Sequence, residues 1–291
     1  MVDEKGISDT SDQAKRSLRV GLVQMCSGID PVVNMATSTA LISQAAKEGA
    51  EIIATPEMTN MLDLKTKRMA EHLHLEQDDP SLASYRNLAS KLNCWLAIGS
   101  MPIKLESGKI ANRSFMINSV GDIVARYDKA HMFDVDLANG ESYRESRSYQ
   151  AGDQAILVNS PLAKLGLSIC YDVRFPYLYR TLAQAGAEVI FVPAAFTQKT
   201  GEAHWHALLK ARAIECGCYI VAAAQSGHHE DGRKTFGHSL IIDPWGRVLA
   251  DMETAVGHLT LDISLNNVDT ARQNIPSLQH DRALVLNQID G

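Results

Sequence analysis

The chain has 291 residues, 45% hydrophobic and 21% charged, which suits one large soluble domain able to bury a substantial core. A net charge of −6 without a basic, aromatic-interleaved stretch excludes a nucleic-acid footprint, and no apolar run approaches the roughly 20 residues that span a bilayer. Five cysteines in a chain this long do not make a disulfide framework, and the odd count fits a reducing compartment, so a cytoplasmic location is expected.

Residues 1–17, MVDEKGISDTSDQAKRS, lack an apolar core and carry several acids, so they are expected to be a polar tail, neither a secretory signal nor a transit peptide. Residues 18–25, LRVGLVQM, begin the fold as a buried strand, and a helical stretch at 32–48 ends at Gly49. The β-branched run EIIATPE (51–57) stops at a proline and a carboxylate. A helix at 81–92 then leads into the strand CWLAIGSM (94–101). This strand–helix–strand rhythm predicts crossover units with parallel neighbours. The middle of the chain changes character. RSFMINSVGDIVARYDK turns at Val-Gly-Asp and AILVNSPLAKLGLSIC turns near a proline, and both predict antiparallel hairpins. The crossover rhythm returns with a helix at 175–186, EVIFVPA (188–194), a helix at 203–216 and CYIVAAAQ (218–225). A third hairpin, HSLIIDPWGRVLADM, turns at Pro-Trp-Gly.

EIIATPE and EVIFVPA each follow a helix and a Gly-Ala pair, and each ends at a proline. Two related halves are implied, each placing a loop at the carboxyl end of a strand, where chemistry sits in open α/β sheets. With no linker or low-complexity segment, the chain predicts a single α+β domain of mixed sheets covered by helices.

Several chemistries are ruled out by motif. There is no G-x-S-x-G elbow, phosphate-binding loop, dinucleotide fingerprint or H-E-x-x-H. Cys216 and Cys218 form a lone C-x-C, so no zinc, and no metal or cofactor, is expected. His204 and His206 lie two apart in a helix and point to different faces, as ordinary polar or interface residues do. His228 and His229 fall in a polar loop, where a solvated position is the default. Cys170 closes the apolar run KLGLSIC and is followed at once by a helical pattern, which sets it at a strand-to-helix turn where a helix dipole lowers a thiol pKa. Glu57, directly after IIATP, is expected to be desolvated, with its pKa raised toward that of a general base. Lys129 follows another strand in RYDKAHMFD, and Glu145 lies in YRESRSYQAGD. Taken singly, each also fits a buried thiol or a surface charge.

Together, TPEM with Glu57, YDKAHMFD with Lys129 and LSICYDVRFP with Cys170 resemble the nitrilase (carbon–nitrogen hydrolase) superfamily, in its order and approximate spacing over residues 18–275. The remaining residues, 276–291, form a C-terminal extension. The resemblance implies a four-layer αββα sandwich and a Glu57–Lys129–Cys170 triad, with Glu145 orienting the lysine and substrate. In that scheme Cys170 attacks an amide carbonyl, Glu57 moves the proton, and Lys129 with the Tyr171 N–H holds the oxyanion. The stretch AFTQKTGEAHWHALLKARAIECGCYIVAAAQSGHHEDGRKTFGHSLIIDPWGRV is similar to the Nit branch, the deaminated glutathione amidases. Their substrate is a small anionic amide, for which Arg174 would be a carboxylate clamp, unless it pairs with Asp172, and Thr200 a donor. Tyr171 and Phe175 would shape the pocket, and the loop 134–150 would help set the substrate. Met58 and Met132 depart from frequent family residues without bearing on the proposed chemistry. The alternatives are an ω-amidase acting on 2-oxoglutaramate, a true nitrilase and a catalytically idle scaffold. The family also implies a homodimer or homotetramer.

Overall fold

The computed structural model describes residues 16–136, 140 and 142–289, so all but the last two residues of the expected polar tail lie outside the described residues. The run of 18–25 becomes strand β1 (Ser17–Gln24), with Leu18, Val20 and Leu22 buried. Helix α1 (Pro31–Lys47) starts where Asp30 accepts a hydrogen bond from the Val32 N–H and Pro31 occupies the first turn. After β2 (Ile52–Ala54) and the short α2 (Thr66–Met69), α3 (Pro80–Leu92) starts in the same way, with Asp79 as its cap. Strands β3 (Trp95–Lys104), β4 (Ile110–Ile117) and β5 (Ile123–Asp128) follow. A ribbon, β6 (Asp134–Asp136) and β7 (Ser142–Arg144), precedes the hairpin of β8 (Leu157–Asn159) and β9 (Lys164–Leu167). Next come α4 (Pro176–Gln184), β10 (Val189–Phe191), α5 (Gln198–Cys216) and β11 (Tyr219–Ala222). A second ribbon, β12 (Ser226–His228) and β13 (Lys234–Phe236), leads to the hairpin β14 (Leu240–Ile242) and β15 (Val248–Asp251). The chain closes with β16 (Gly257–Ser264) and α6 (Asn266–Asn274).

Two six-stranded sheets result, ordered β16-β1-β2-β3-β4-β5 and β8-β9-β10-β11-β14-β15. Read in those directions, both pair antiparallel, parallel, parallel, antiparallel, antiparallel. The repeat expected from EIIATPE and EVIFVPA is therefore a repeat of whole half-molecules. It extends to side chains. Glu51 accepts from the Arg19 N–H at 2.9 Å, and its counterpart Glu188 accepts from the Lys164 N–H at 2.9 Å. Gly21 on β1 and Gly166 on β9 are equivalent as well. A Cβ on Gly21 would meet Ala45 of α1 at 3.1 Å, and one on Gly166 would meet Leu182 of α4 at 3.1 Å, so each glycine lets a helix lie close on its sheet.

One core cluster joins Val20, Leu22 and Ala97 of the first sheet to Leu165, Leu167 and Val221 of the second, and continues to Leu182 and Leu209 of the helices beyond. Another packs Ile42 of α1 and Tyr85 of α3 on Ile53, Ile98 and Phe115. The layers are helix, sheet, sheet, helix, as the resemblance implied. All three expected hairpins are present. Strand β16 was not expected, although Leu259, Leu261 and Ile263 alternate with His258, Thr260 and Asp262 and pair along all of β1. Helix α5 begins five residues before the expected 203, because Thr197 caps it and Gly201 does not break it. Among the described residues, no helix is long and apolar enough to cross a membrane.

Candidate active site

Three loops at one end of the stacked sheets converge. The first leaves β2 as Thr55-Pro56-Glu57 and bends at Met58, whose φ of +56 lies in the left-handed region. The Met58 N–H donates to Ser100 Oγ at 2.9 Å, and the buried Gln225 side chain donates to the Glu57 carbonyl at 3.0 Å. Gly99 leaves room for this loop, since a Cβ there would stand 2.1 Å from the Thr55 oxygen. The second loop carries Lys129 off β5, fixed by its N–H to the Asn112 carbonyl at 2.9 Å. The third carries Cys170 off β9. Its N–H donates to the Pro193 carbonyl at 2.8 Å, and its φ is +51, a strained setting for a non-glycine residue that turns the thiol out of the strand line.

That bend is held by Asp172, which is wholly buried. One carboxylate oxygen accepts from Tyr127 Oη at 2.7 Å and the Ile169 N–H at 2.8 Å. The other accepts from the His131 N–H at 3.0 Å and from His131 Nδ1 at 2.6 Å. The His131 ring stacks on Phe175 with centroids 3.6 Å apart. Asp172 thus ties the cysteine turn to the lysine loop.

The side chains meet in one buried cluster. Lys129 Nζ is 3.0 Å from Glu57 Oε1 and 2.9 Å from Glu145 Oε2. Glu57 Oε1 also accepts from Asn112 Nδ2 at 2.9 Å, and its Oε2 from the Ala195 N–H at 2.9 Å. Glu145 is held in turn by the Phe133 N–H at 2.7 Å. The Cys170 thiol lies beside Glu57, close enough for the carboxylate charge to act on it.

The electrostatics differ from expectation at two residues. Burial pushes the Glu57 carboxyl up, but the Lys129 charge and the hydrogen bonds from Lys129 and Asn112 outweigh it and leave Glu57 below the ordinary carboxylate range. Its expected rise does not occur. The Cys170 thiol is pushed well above the ordinary 9.0, by burial and then by the Glu57 charge beside it. The expected lowering by a helix dipole fails because Cys170 opens a five-residue 3₁₀ turn (Cys170–Arg174), and α4 starts only at Pro176. Lys129 loses by burial and gains more from Glu145 and Glu57, so it stays charged well past its ordinary range.

A cavity of about 430 Å³ opens onto Cys170, Glu57, Lys129 and Glu145. Tyr171 and Thr200 line it as expected, and so does Met58, contrary to the expectation that this position stands apart from the chemistry. Arg174 and Phe175 are not among the lining residues. The Arg174 guanidinium lies over the Tyr171 and Phe196 rings and 3.2 Å from His204 Nδ1, and the alternative pairing with Asp172 is absent because Tyr127, Ile169 and His131 engage that carboxylate. The arginines that face the cavity are Arg144, from the loop 134–150, and Arg233. Part of that loop, 137–139 and 141, lies outside the described residues. His228 is exposed as expected, while His229 is buried between the Ser27 carbonyl at 2.8 Å and Thr235 Oγ1 at 2.7 Å. The five cysteines are free, and Cys26 alone among them is exposed.

Asn112, Asp172, Gln225 and the two cavity arginines were not foreseen as parts of the site. Asn112 left one signal, an amide side chain inside the apolar strand IANRSFMI, where asparagine is disfavoured unless it has a partner.

A stacked pair of mixed sheets with a buried carboxylate–ammonium–thiol cluster at its end defines a class of hydrolases, and comparison places the chain in it. Residues 19–273 match the carbon–nitrogen hydrolase family, and the chain belongs to that family. It is a hydrolase acting on carbon–nitrogen bonds. The deaminated glutathione amidase of Yersinia enterocolitica is 41% identical over 270 residues, covering 92% of this chain and 94% of that protein. The Homo sapiens deaminated glutathione amidase is 39% identical over 270 residues, covering 90% of this chain and 82% of that one. The crystal structure of the C. elegans NitFhit protein superposes with a TM-score of 0.85 at 37% identity, over 92% of this chain and 66% of that longer chain. Saccharomyces cerevisiae Nit3, a member of branch 10 of the nitrilase superfamily, gives 0.82 at 26% identity, over 91% of this chain and 96% of its own. The resemblance to the nitrilase superfamily and its Nit branch is borne out.

Proposed function

We propose that the chain is a thiol amidase that hydrolyses deaminated glutathione to 2-oxoglutarate and cysteinylglycine through a Cys170 thioester. The observation that carries the chemistry is the convergence of Cys170, Glu57, Lys129 and Glu145 on one cavity, with the Glu57 charge acting on the thiol. Cys170 Sγ attacks the amide carbon while Glu57 takes the thiol proton. Lys129 and the Tyr171 N–H receive the charge that forms on the carbonyl oxygen, and Glu145 holds the ammonium in place. Each such donor is worth on the order of 10²–10³ in rate. Collapse breaks the carbon–nitrogen bond, and the proton on Glu57 goes to the leaving amine. Glu57 then deprotonates a water that attacks the thioester, and the proton returns to sulfur as the acid departs. No metal or cofactor enters the scheme.

The substrate assignment rests on the relatives named above and on the cations that face the cavity. Arg144 and Arg233 at the cavity suit an anionic keto acid, and 430 Å³ falls in the roughly 300–1,000 Å³ typical of small-ligand pockets. Arg174 acts behind the wall, stacked on Tyr171 and Phe196. The test is kcat/KM for deaminated glutathione and for 2-oxoglutaramate, with cysteinylglycine and ammonia measured separately. A preference for 2-oxoglutaramate overturns the substrate and makes the chain an ω-amidase. Turnover retained by Cys170→Ser overturns the mechanism.

A further inference from the structure

Helix α5 leaves the cavity wall at Thr200, and farther along it brings His206 against the β14–β15 hairpin. His206 Nε2 lies 3.0 Å from Asp251 Oδ2, and His238 Nδ1 lies 3.0 and 3.1 Å from the two oxygens of the same carboxylate. The three residues come from α5, the connection before β14 and the end of β15, and share no motif spacing. Each is nonetheless fixed by its surroundings. His238 sits at φ +55, stacks on Phe236 with centroids 4.3 Å apart, and accepts at its carbonyl from Trp205 Nε1 at 2.8 Å. Asp251 Oδ1 accepts from the Glu253 N–H at 2.8 Å. The two imidazoles meet edge to face, with centroids 5.1 Å apart.

These atoms have the layout of a ligand set. The ligand atoms all lie within 4.8 Å of one another. Two donors bonded at about 2.1 Å to one ion stand about 3.0–3.4 Å apart, so the present hydrogen-bond separations already approach those of a coordinated trio. Two imidazoles and one carboxylate select zinc, cobalt, nickel or copper over magnesium or calcium, which take oxygen. The side chains are 35%, 22% and 28% exposed for His206, His238 and Asp251, which admits an ion and leaves water to complete its coordination. We propose that His206, His238 and Asp251 bind one divalent transition-metal ion, which staples α5 to the β14–β15 hairpin behind the cavity wall. The site is separate from the amidase centre.

The test is titration of the chelator-treated full-length protein with cobalt(II) chloride, followed by absorption. One equivalent is expected, with visible d–d bands of a nitrogen–oxygen set and no sulfur-to-cobalt charge-transfer band. His206→Gln and Asp251→Asn should each weaken binding by at least about tenfold, the loss that even an outer partner of a metal ligand causes. Zinc should raise the Tm of the wild type and not of His206→Gln. Absence of uptake at millimolar cobalt, thiolate bands, or equal affinity in the variants would overturn the proposal. Should Asp251→Asn fold poorly, His206→Gln, at a half-exposed helix position, carries the comparison alone.

Discussion

Asp172→Asn probes the support of the Cys170 turn without changing its shape. The carboxylate accepts four hydrogen bonds, two on each oxygen, and is wholly buried. An amide keeps one acceptor oxygen. If its NH₂ faces Tyr127 and Ile169, the tyrosine hydroxyl can turn to accept, but the Ile169 N–H is stranded. If it faces His131, the imidazole can switch tautomer, but the His131 N–H is stranded. Either orientation leaves one buried backbone donor unpaired, at about 1–3 kcal/mol, and turns the surviving bonds from charge-assisted to neutral, adding about 2 kcal/mol. A loss of about 3–5 kcal/mol is expected, a large part of a stability that ordinarily lies near 5–15 kcal/mol. Urea unfolding followed by circular dichroism reads it directly. Because Asp172 also joins the Cys170 turn to the Lys129 loop, kcat should fall in the folded variant while KM changes little. A variant less than about 1 kcal/mol weaker, with undiminished kcat, would refute the assignment of Asp172 as the clamp.

Removing the Asn112 amide has a different signature. Its bond lowers the Glu57 pKa, so Asn112→Ala should move the acid limb of kcat/KM to higher pH. At neutral pH a lost bond to a charged acceptor, about 1.5–3 kcal/mol, corresponds to about a 10–100-fold fall in kcat/KM, and an unchanged acid limb would count against the role of Asn112. The raised thiol pKa predicts that Cys170 carries its proton throughout the neutral range. The difference in ultraviolet thiolate absorbance between wild type and Cys170→Ser should stay flat up to about pH 9. A thiolate titrating below neutrality would contradict the assigned proton position.

Strand-end positions were readable because they are one-dimensional. Glu57 and Cys170 each terminate an apolar run, Lys129 follows another, and the Gly-Ala-Glu repeat announces the two halves. What escaped depends on neighbours distant in the chain. Asn112 reaches Glu57 from across the first sheet, 55 positions away, and Gln225 reaches it from the second. Glu57 is lowered because Lys129 and Asn112 outweigh its burial, and Cys170 is raised by burial and the Glu57 charge, so burial alone misled for Glu57 and helix proximity alone for Cys170. Arg174 shows how spacing fails as a guide to direction. Four residues after the nucleophile, a 3₁₀ turn and an α-turn aim the side chain differently, and this one goes behind Tyr171. Gly201, inside α5, has a packing reason of the same long-range kind: a Cβ there would meet Phe236 Cβ at 2.3 Å, and the glycine admits that ring.

The charge of the cluster explains why a protonated thiol suits the proposed reaction. One ammonium lies between two carboxylates, so the resting site carries a net negative charge beside Cys170. A thiolate there would be a second unbalanced anion in a buried place, and both burial and Glu57 oppose it. Attack changes the balance. When Glu57 takes the thiol proton it becomes neutral, and Lys129 is released from one of its two anions as a new negative charge appears on the substrate oxygen. The stabilisation therefore falls on the tetrahedral species, where it accelerates reaction, and not on a free thiolate, where it would only deepen the ground state. Glu145 completes the logic. Its pairing favours the charged ammonium, and in the proposed reaction it would hold that cation in place while Glu57 alternates between acid and base.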